Sequence, residues 1–284
     1  MATILIKNVN LISVSSIREK IEMNVDILIK GGKINKIGKN LKIKADQIIN
    51  ATNKWIIPGM INCHCHIPMS LFREIVDGYK LQEWLTKAIW PIEGKMTDED
   101  IYYFSLLSMI ESIENGVTTI NDMYFKTEHI IKAVNKSSIN AVLGMTLMDV
   151  DGEVAGNARI DNFNKLLKDF PKQNVSTLIH GLYTNSPKYL QKALAFGKKN
   201  NKMLCHMHFC ENTDEVKTIC KNYNVKHPGQ VLEQYFKGFK LVLAHCVKID
   251  DYTMSVLKKM NASVVHNPIS NLRLGCGFAD LKTM

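Results

Sequence analysis

The stretch Pro58-Gly59-Met60-Ile61-Asn62-Cys63-His64-Cys65-His66 carries the decision about the fold. Pro58-Gly59 punctuates the chain, and the residues after it read as a strand. Side chains two apart on a strand share a face. His64 and His66 therefore point the same way, toward one metal ion, while Cys63 and Cys65 point the other way. A zinc knuckle uses spaced pairs on turns and does not suit this alternation.

Working toward the C-terminus, strand and helix patterns alternate. Thr97-Asp98 caps a helix over about 99–115, which Gly116 ends, and Val117-Thr118-Thr119-Ile120 is the next strand. Further helices are expected over about 127–136, 158–170, 187–199, 212–221, 227–236 and 250–259. Strands are expected at 140–147, 175–180, 203–208, 241–245 and 262–266. Seven strands alternating with helices predict a parallel α/β sheet, doubly wound or closed as a (β/α) barrel. No glycine-rich phosphate fingerprint follows the first of these strands, which speaks against a dinucleotide-binding sheet. A closed barrel needs eight strands, and 268–284 reads as a loop and the start of a helix. Toward the N-terminus, 1–57 reads as a small β module with a hairpin at Gly31-Gly32.

The chain has 284 residues, 46% of them hydrophobic, which is enough for one large domain with a small second one. No apolar run approaches the ~20 residues of a membrane span, and Met1 to Val14 lacks a signal-peptide pattern. The expectation is a cytoplasmic protein without membrane partners. The net charge of +9 comes from scattered lysines, with no basic helix interleaved with aromatics, so no nucleic-acid partner is expected. Seven cysteines without secretory context read as reduced thiols.

More histidines fall at strand ends: His208 with Glu211 three residues on, His245 and His266. His206 shares the strand face of His208 and competes with it as a ligand; His208 is preferred because the strand end faces the active-site mouth. Active sites of parallel barrels lie at the C-terminal strand ends, so these side chains converge on one rim. A divalent metal held by neutral imidazoles lowers the pKa of water toward ~7. A nearby carboxylate can carry that proton to a leaving amine. The combination suits hydrolysis of an amide or deamination of a heterocycle.

Residues 58–69, with Glu83-Trp84-Leu85, Pro91-Ile92-Glu93, Asn121-Asp122-Met123-Tyr124, Leu243-Ala244-His245-Cys246-Val247 and 265–272, resemble the amidohydrolase superfamily. Within it they are similar to the 5-methylthioadenosine/S-adenosylhomocysteine deaminases and related chlorohydrolases. The resemblance implies a metal-dependent TIM-like (β/α)8 barrel over 58–284, with 1–57 as part of a small β-sandwich. It implies one Zn2+, or another divalent metal, on His64, His66 and His208. Glu211 would shuttle protons, and His245 would polarise the substrate or stabilise an oxyanion. Trp84, Glu93, Arg159 and His180, with Glu211, would line a pocket for a small-molecule nucleoside such as 5'-methylthioadenosine or S-adenosylhomocysteine. Self-association into a homo-oligomer is compatible with this.

The sequence departs from that pattern in places. A further metal-binding aspartate, in a Gly-Thr-Asp motif on the eighth strand, would lie beyond residue 284. The barrel is therefore expected to be incomplete at the C-terminus, and this polypeptide alone unstable or inactive. Met145 stands where an arginine is expected, and His180-Gly181-Leu182-Tyr183 replaces His-Ala-Pro-Tyr. The alternatives are another amidohydrolase reaction (chlorohydrolase, guanine or cytosine deaminase) or an inactive fragment that only binds metal.

Overall fold

A computed structural model describes residues 2–14, 21–75 and 78–284. The chain divides into two compact units, Met1–Met60 and Ile61–Met284.

In the first unit, β1 (Thr3–Ile12) pairs antiparallel with β2 (Ile21–Lys30) and parallel with β4 (Gln47–Asn50) and β5 (Trp55–Ile56). β3 (Lys33–Gly38) pairs antiparallel with β2. The β2–β3 hairpin turns on Gly31 and Gly32 at φ 56° and 74°, the left-handed pair a two-residue hairpin requires. One sheet face buries Val9, Leu11, Val25, Ile27 and Ala51. Asp26 is buried with them, its carboxylate accepting the Asn8 and Leu41 backbone N–H groups.

The second unit is built of parallel strands taken in chain order. β6 (Met60–Cys65), β7 (Val117–Asp122) and β8 (Asn140–Val142) form one run. β9 (Thr146–Leu147), β10 (Thr177–Gly181), β11 (Leu204–Phe209), β12 (Lys240–His245) and β13 (Ser263–Val265) form the next. Single bridges, Tyr124 to Met145 and Leu143 to Val175, join the two runs. The strand expected over 140–147 is thus split in two around Gly144, where a β-carbon would stand 2.5 Å from Leu178 Cβ.

Helices return between the strands, and their ends follow local chemistry. Thr97 caps Asp98–Glu114 in a box, its hydroxyl taking the Asp100 N–H while Asp100 takes the Thr97 N–H. Ser186, Asn212 and Asp250 cap Pro187–Lys199, Thr213–Tyr223 and Asp251–Lys259. The central strands are covered on both faces: Cys205, Met207, Phe209, Leu241 and Leu243 are almost fully buried, and the buried His206 and His208 interrupt the apolar run on β11.

Gly197 shows how closely helix and sheet approach. A β-carbon there would lie 2.2 Å from Thr177 Oγ1, whose hydroxyl is committed to the Lys202 carbonyl at 2.6 Å. Gly197→Ala is expected to destabilise the fold by about 1–3 kcal/mol through overpacking. A urea midpoint that falls with unchanged slope would check this.

Candidate active site

The strands deliver their histidines to one place. His64 and His66 come from the end of β6, His180 from β10, His208 from β11 and His245 from the last position of β12. They line a cavity of about 280 Å³ together with Glu93, Glu211 and an apolar wall that includes Met69, Trp84, Trp90 and Phe125. Ring centroids of His64 lie 4.8 Å from His66, 4.9 Å from His208 and 5.3 Å from His245.

Hydrogen bonds fix which nitrogen of each ring faces inward. His66 Nδ1 donates to the Met123 carbonyl at 2.7 Å, and His208 Nδ1 to the His180 carbonyl at 2.7 Å. His245 Nδ1 meets Asn271 Oδ1 at 2.7 Å. A carbonyl oxygen only accepts, so Nδ1 carries the proton and a neutral ring leaves Nε2 bare. Burial holds all these histidines below their ordinary pKa, with neighbouring rings adding to the effect at His64 and His208.

Two bare nitrogens, His66 Nε2 and His208 Nε2, then face each other 3.2 Å apart. Opposed lone pairs at that distance repel unless a cation stands between them. The ligand atoms of His64, His208 and His245 also lie within 4.8 Å of one another. The donor set is imidazole nitrogen beside a carboxylate, which fits a divalent cation. His245 stands as near this centre as the histidines expected to be ligands.

Glu211 follows β11. Its Oε1 is 3.4 Å from His245 Nδ1 and 3.8 Å from Cys276 Sγ. Burial, reinforced by the Glu215 carboxylate, pushes its pKa up to about 8. Glu215 is buried and is not paired with a cation among the described residues; it accepts the backbone N–H groups of Cys210 (2.8 Å) and Glu211 (2.7 Å). It braces the turn that aims Glu211, where Cys210 adopts φ 51°. Positive φ recurs at the end of β12, at His245 (φ 78°) and Cys246 (φ 49°), both non-glycine residues in a sparsely allowed region. Spacing did not single out Glu215. An acidic residue four positions beyond Glu211, at the start of a helix, was the available signal.

Asp122, at the end of β7, accepts the Ile67 N–H at 2.7 Å and supports the segment after His66. Burial raises Asp122 from 3.8 to about 7 and Glu215 from 4.5 to about 7. Between those limits the native protein keeps protons that the unfolded chain has released. Stability is therefore expected to fall as pH rises from 5 to 7, by about 2 kcal/mol for each group. Urea unfolding at the two pH values checks this, and Glu215→Gln should reduce the slope.

The structure brings Trp84, Glu93 and His180 to the cavity; Tyr124 Oη donates to Glu93 Oε1 at 2.7 Å. It does not bring Arg159 there. That guanidinium is forked onto the Asp151 carboxylate at 2.6 Å and onto the Met148 carbonyl at 3.0 Å, and it lines a neighbouring cavity beyond Phe125 and Thr146. A local ion pair outcompetes the expected pocket position. His266 is also outside the cluster, its ring edge-on to Phe278 at 4.6 Å. The competition between His206 and His208 resolves geometrically, since His206 Nε2 lies on the outer nitrogen of His64, Nδ1, at 2.8 Å.

The amidohydrolase family model matches residues 55–284, which include every residue of this cluster. The chain belongs to the amidohydrolase family. Among curated proteins it is 40% identical over 265 residues to the 5'-deoxyadenosine deaminase of Methanocaldococcus jannaschii, covering 90% of this chain and 63% of the relative. It is 37% identical to the 5-methylthioadenosine/S-adenosylhomocysteine deaminase of Thermococcus sibiricus, covering 99% of this chain and 67% of the relative. It thus spans about two thirds of the length of the curated relatives it matches. Among solved structures it shares the fold of an adenosine deaminase from Xanthomonas campestris with bound zinc (TM-score 0.86, 21% identity, 98% of this chain and 65% of that one). It also shares the fold of the zinc-complexed atrazine chlorohydrolase of Arthrobacter aurescens (TM-score 0.86, 20% identity, 99% and 69%). The expected barrel of the amidohydrolase family is therefore the observed fold. No helix among the described residues is long and apolar enough to cross a membrane.

Proposed function

We propose that this chain carries the metal site of a zinc-dependent aminohydrolase that deaminates an adenine nucleoside with a small or thioether 5' substituent. 5'-Methylthioadenosine, S-adenosylhomocysteine and 5'-deoxyadenosine are the candidate substrates. The observation that carries the reading is the inward pair His66 Nε2 and His208 Nε2, 3.2 Å apart, with Glu211 beside His245. The identities to curated nucleoside deaminases support the substrate class. The barrel region, 58–284, would hold this site, and 1–57 would be part of a separate β-sandwich.

His64, His66 and His208 would hold the ion, with His245 close enough to join them. When bound, zinc supplies Lewis acidity and brings the pKa of water toward ~7. Glu211 takes the proton from the attacking water and returns it to the departing amine. Its high proton affinity, set by burial, suits a group that must gain and give a proton near neutral pH. His245, beside Glu211, would polarise the substrate or stabilise the oxyanion. Trp84, Trp90 and Phe125 provide flat apolar faces for a purine, and Glu93 offers a carboxylate to sugar hydroxyls.

Ammonia release is the test. Zinc-loaded protein is incubated with the three nucleosides, with atrazine and guanine as controls. Ammonia from at least one adenine nucleoside, none from guanine and no chloride from atrazine are expected. Release only from the controls, or from nothing in a zinc-loaded sample, overturns the reading.

A further inference from the structure

Four imidazoles surround the proposed cation position, and three have their tautomer set by an oxygen. For His66 and His208 it is a main-chain carbonyl, and for His245 it is the Asn271 side-chain oxygen. His64 is the exception. Its Nδ1 lies 2.8 Å from His206 Nε2, and an imidazole nitrogen can take either side of a hydrogen bond.

His206 is fully buried, and its other nitrogen, Nδ1, has no hydrogen-bond partner among the described residues. It precedes His208 by two residues on β11, one pleat deeper on the same strand face. It therefore lies behind the cluster, against the outer edge of the His64 ring.

Two arrangements hold the same number of protons. In one, His64 Nδ1–H donates to His206 Nε2, and His64 Nε2 is bare. In the other, His206 Nε2–H donates to His64 Nδ1, and the His64 proton sits on Nε2, where it blocks a cation. Only the first makes His64 a ligand. We infer that His206 is a positioning residue that keeps the proton of His64 on Nδ1 and so makes the site competent for metal. This rests on the metal-site reading above. Partners of this kind commonly govern ring orientation and ligand basicity.

The test compares wild type, His206→Leu and His206→Gln in the full chain. Leu offers no acceptor. The Gln side-chain carbonyl restores one that can only accept. Zinc affinity is read by competition with a chromophoric chelator. His206→Leu is expected to bind zinc about 10- to 100-fold more weakly, with His206→Gln recovering most of the loss. A space-filling role predicts the opposite order, because Leu suits a buried apolar position and Gln does not. A 15N-histidine correlation spectrum of the zinc-loaded wild type gives an independent readout, and the His64 proton is expected on Nδ1. If the Leu variant does not fold, the Gln variant and the spectrum decide. A His64 proton on Nε2 with zinc bound, or equal affinities for all three proteins, overturns this inference alone. A wild type that takes up no zinc overturns it together with the metal-site reading.

Discussion

Glu211→Gln is expected to lower kcat by about 10²- to 10⁴-fold while leaving zinc content and fold intact. The side chain is buried at the cavity wall, 3.4 Å from His245 Nδ1 and 3.8 Å from Cys276 Sγ, so the isosteric amide occupies the same space. What the substitution removes is an acceptor that can bind and release a proton. The anchor of the turn, Glu215, still holds the Cys210 and Glu211 backbone groups. The loss should therefore fall on kcat, with KM changed little. Steady-state kinetics on metal-analysed protein checks this. A variant retaining more than a tenth of wild-type turnover would remove Glu211 from the chemistry.

Replacing His208 should act one step earlier, on the metal. The His208 ring sits among the others: its Nε2 is 3.2 Å from His66 Nε2, and it belongs to the triad with His64 and His245. Four-ligand zinc sites bind with roughly 10–16 kcal/mol, or about 2.5–4 kcal/mol per ligand. His208→Ala is thus expected to weaken zinc binding by about 10²- to 10³-fold. Chelator competition measures it, and turnover should disappear at sub-saturating zinc. His180→Ala makes a useful contrast. The Ala variant keeps the main-chain carbonyl that orients His208 and removes only a ring lining the cavity. It should retain zinc and lose substrate affinity instead.

Much of this architecture was legible in the chain because the informative signals are local. Spacing by two put His64 and His66 on one face, and the Thr97-Asp98 cap marked a helix start to within a residue. The third strand was overestimated across Gly144, a weak strand former where Leu178 packs too close for a side chain and the ladder changes partners. Partners from other strands were invisible. Nothing near His245 in sequence announces Asn271, and nothing near His64 announces His206. Arg159 is held away from the cavity by Asp151, just before the start of its own helix, a pairing that the sequence pattern did not announce.

The imidazoles differ in what mutation can do to them. Those of His66 and His208 lean on the carbonyls of Met123 and His180, atoms that every amino acid supplies. Any residue can drift into position 123 or 180 without withdrawing that support, provided the strands keep their alignment. Those of His64 and His245 lean on side chains, which a single nucleotide change can delete. Evolutionary tinkering with this centre has two exposed handles, positions 206 and 271, and two that are sheltered by the peptide backbone itself.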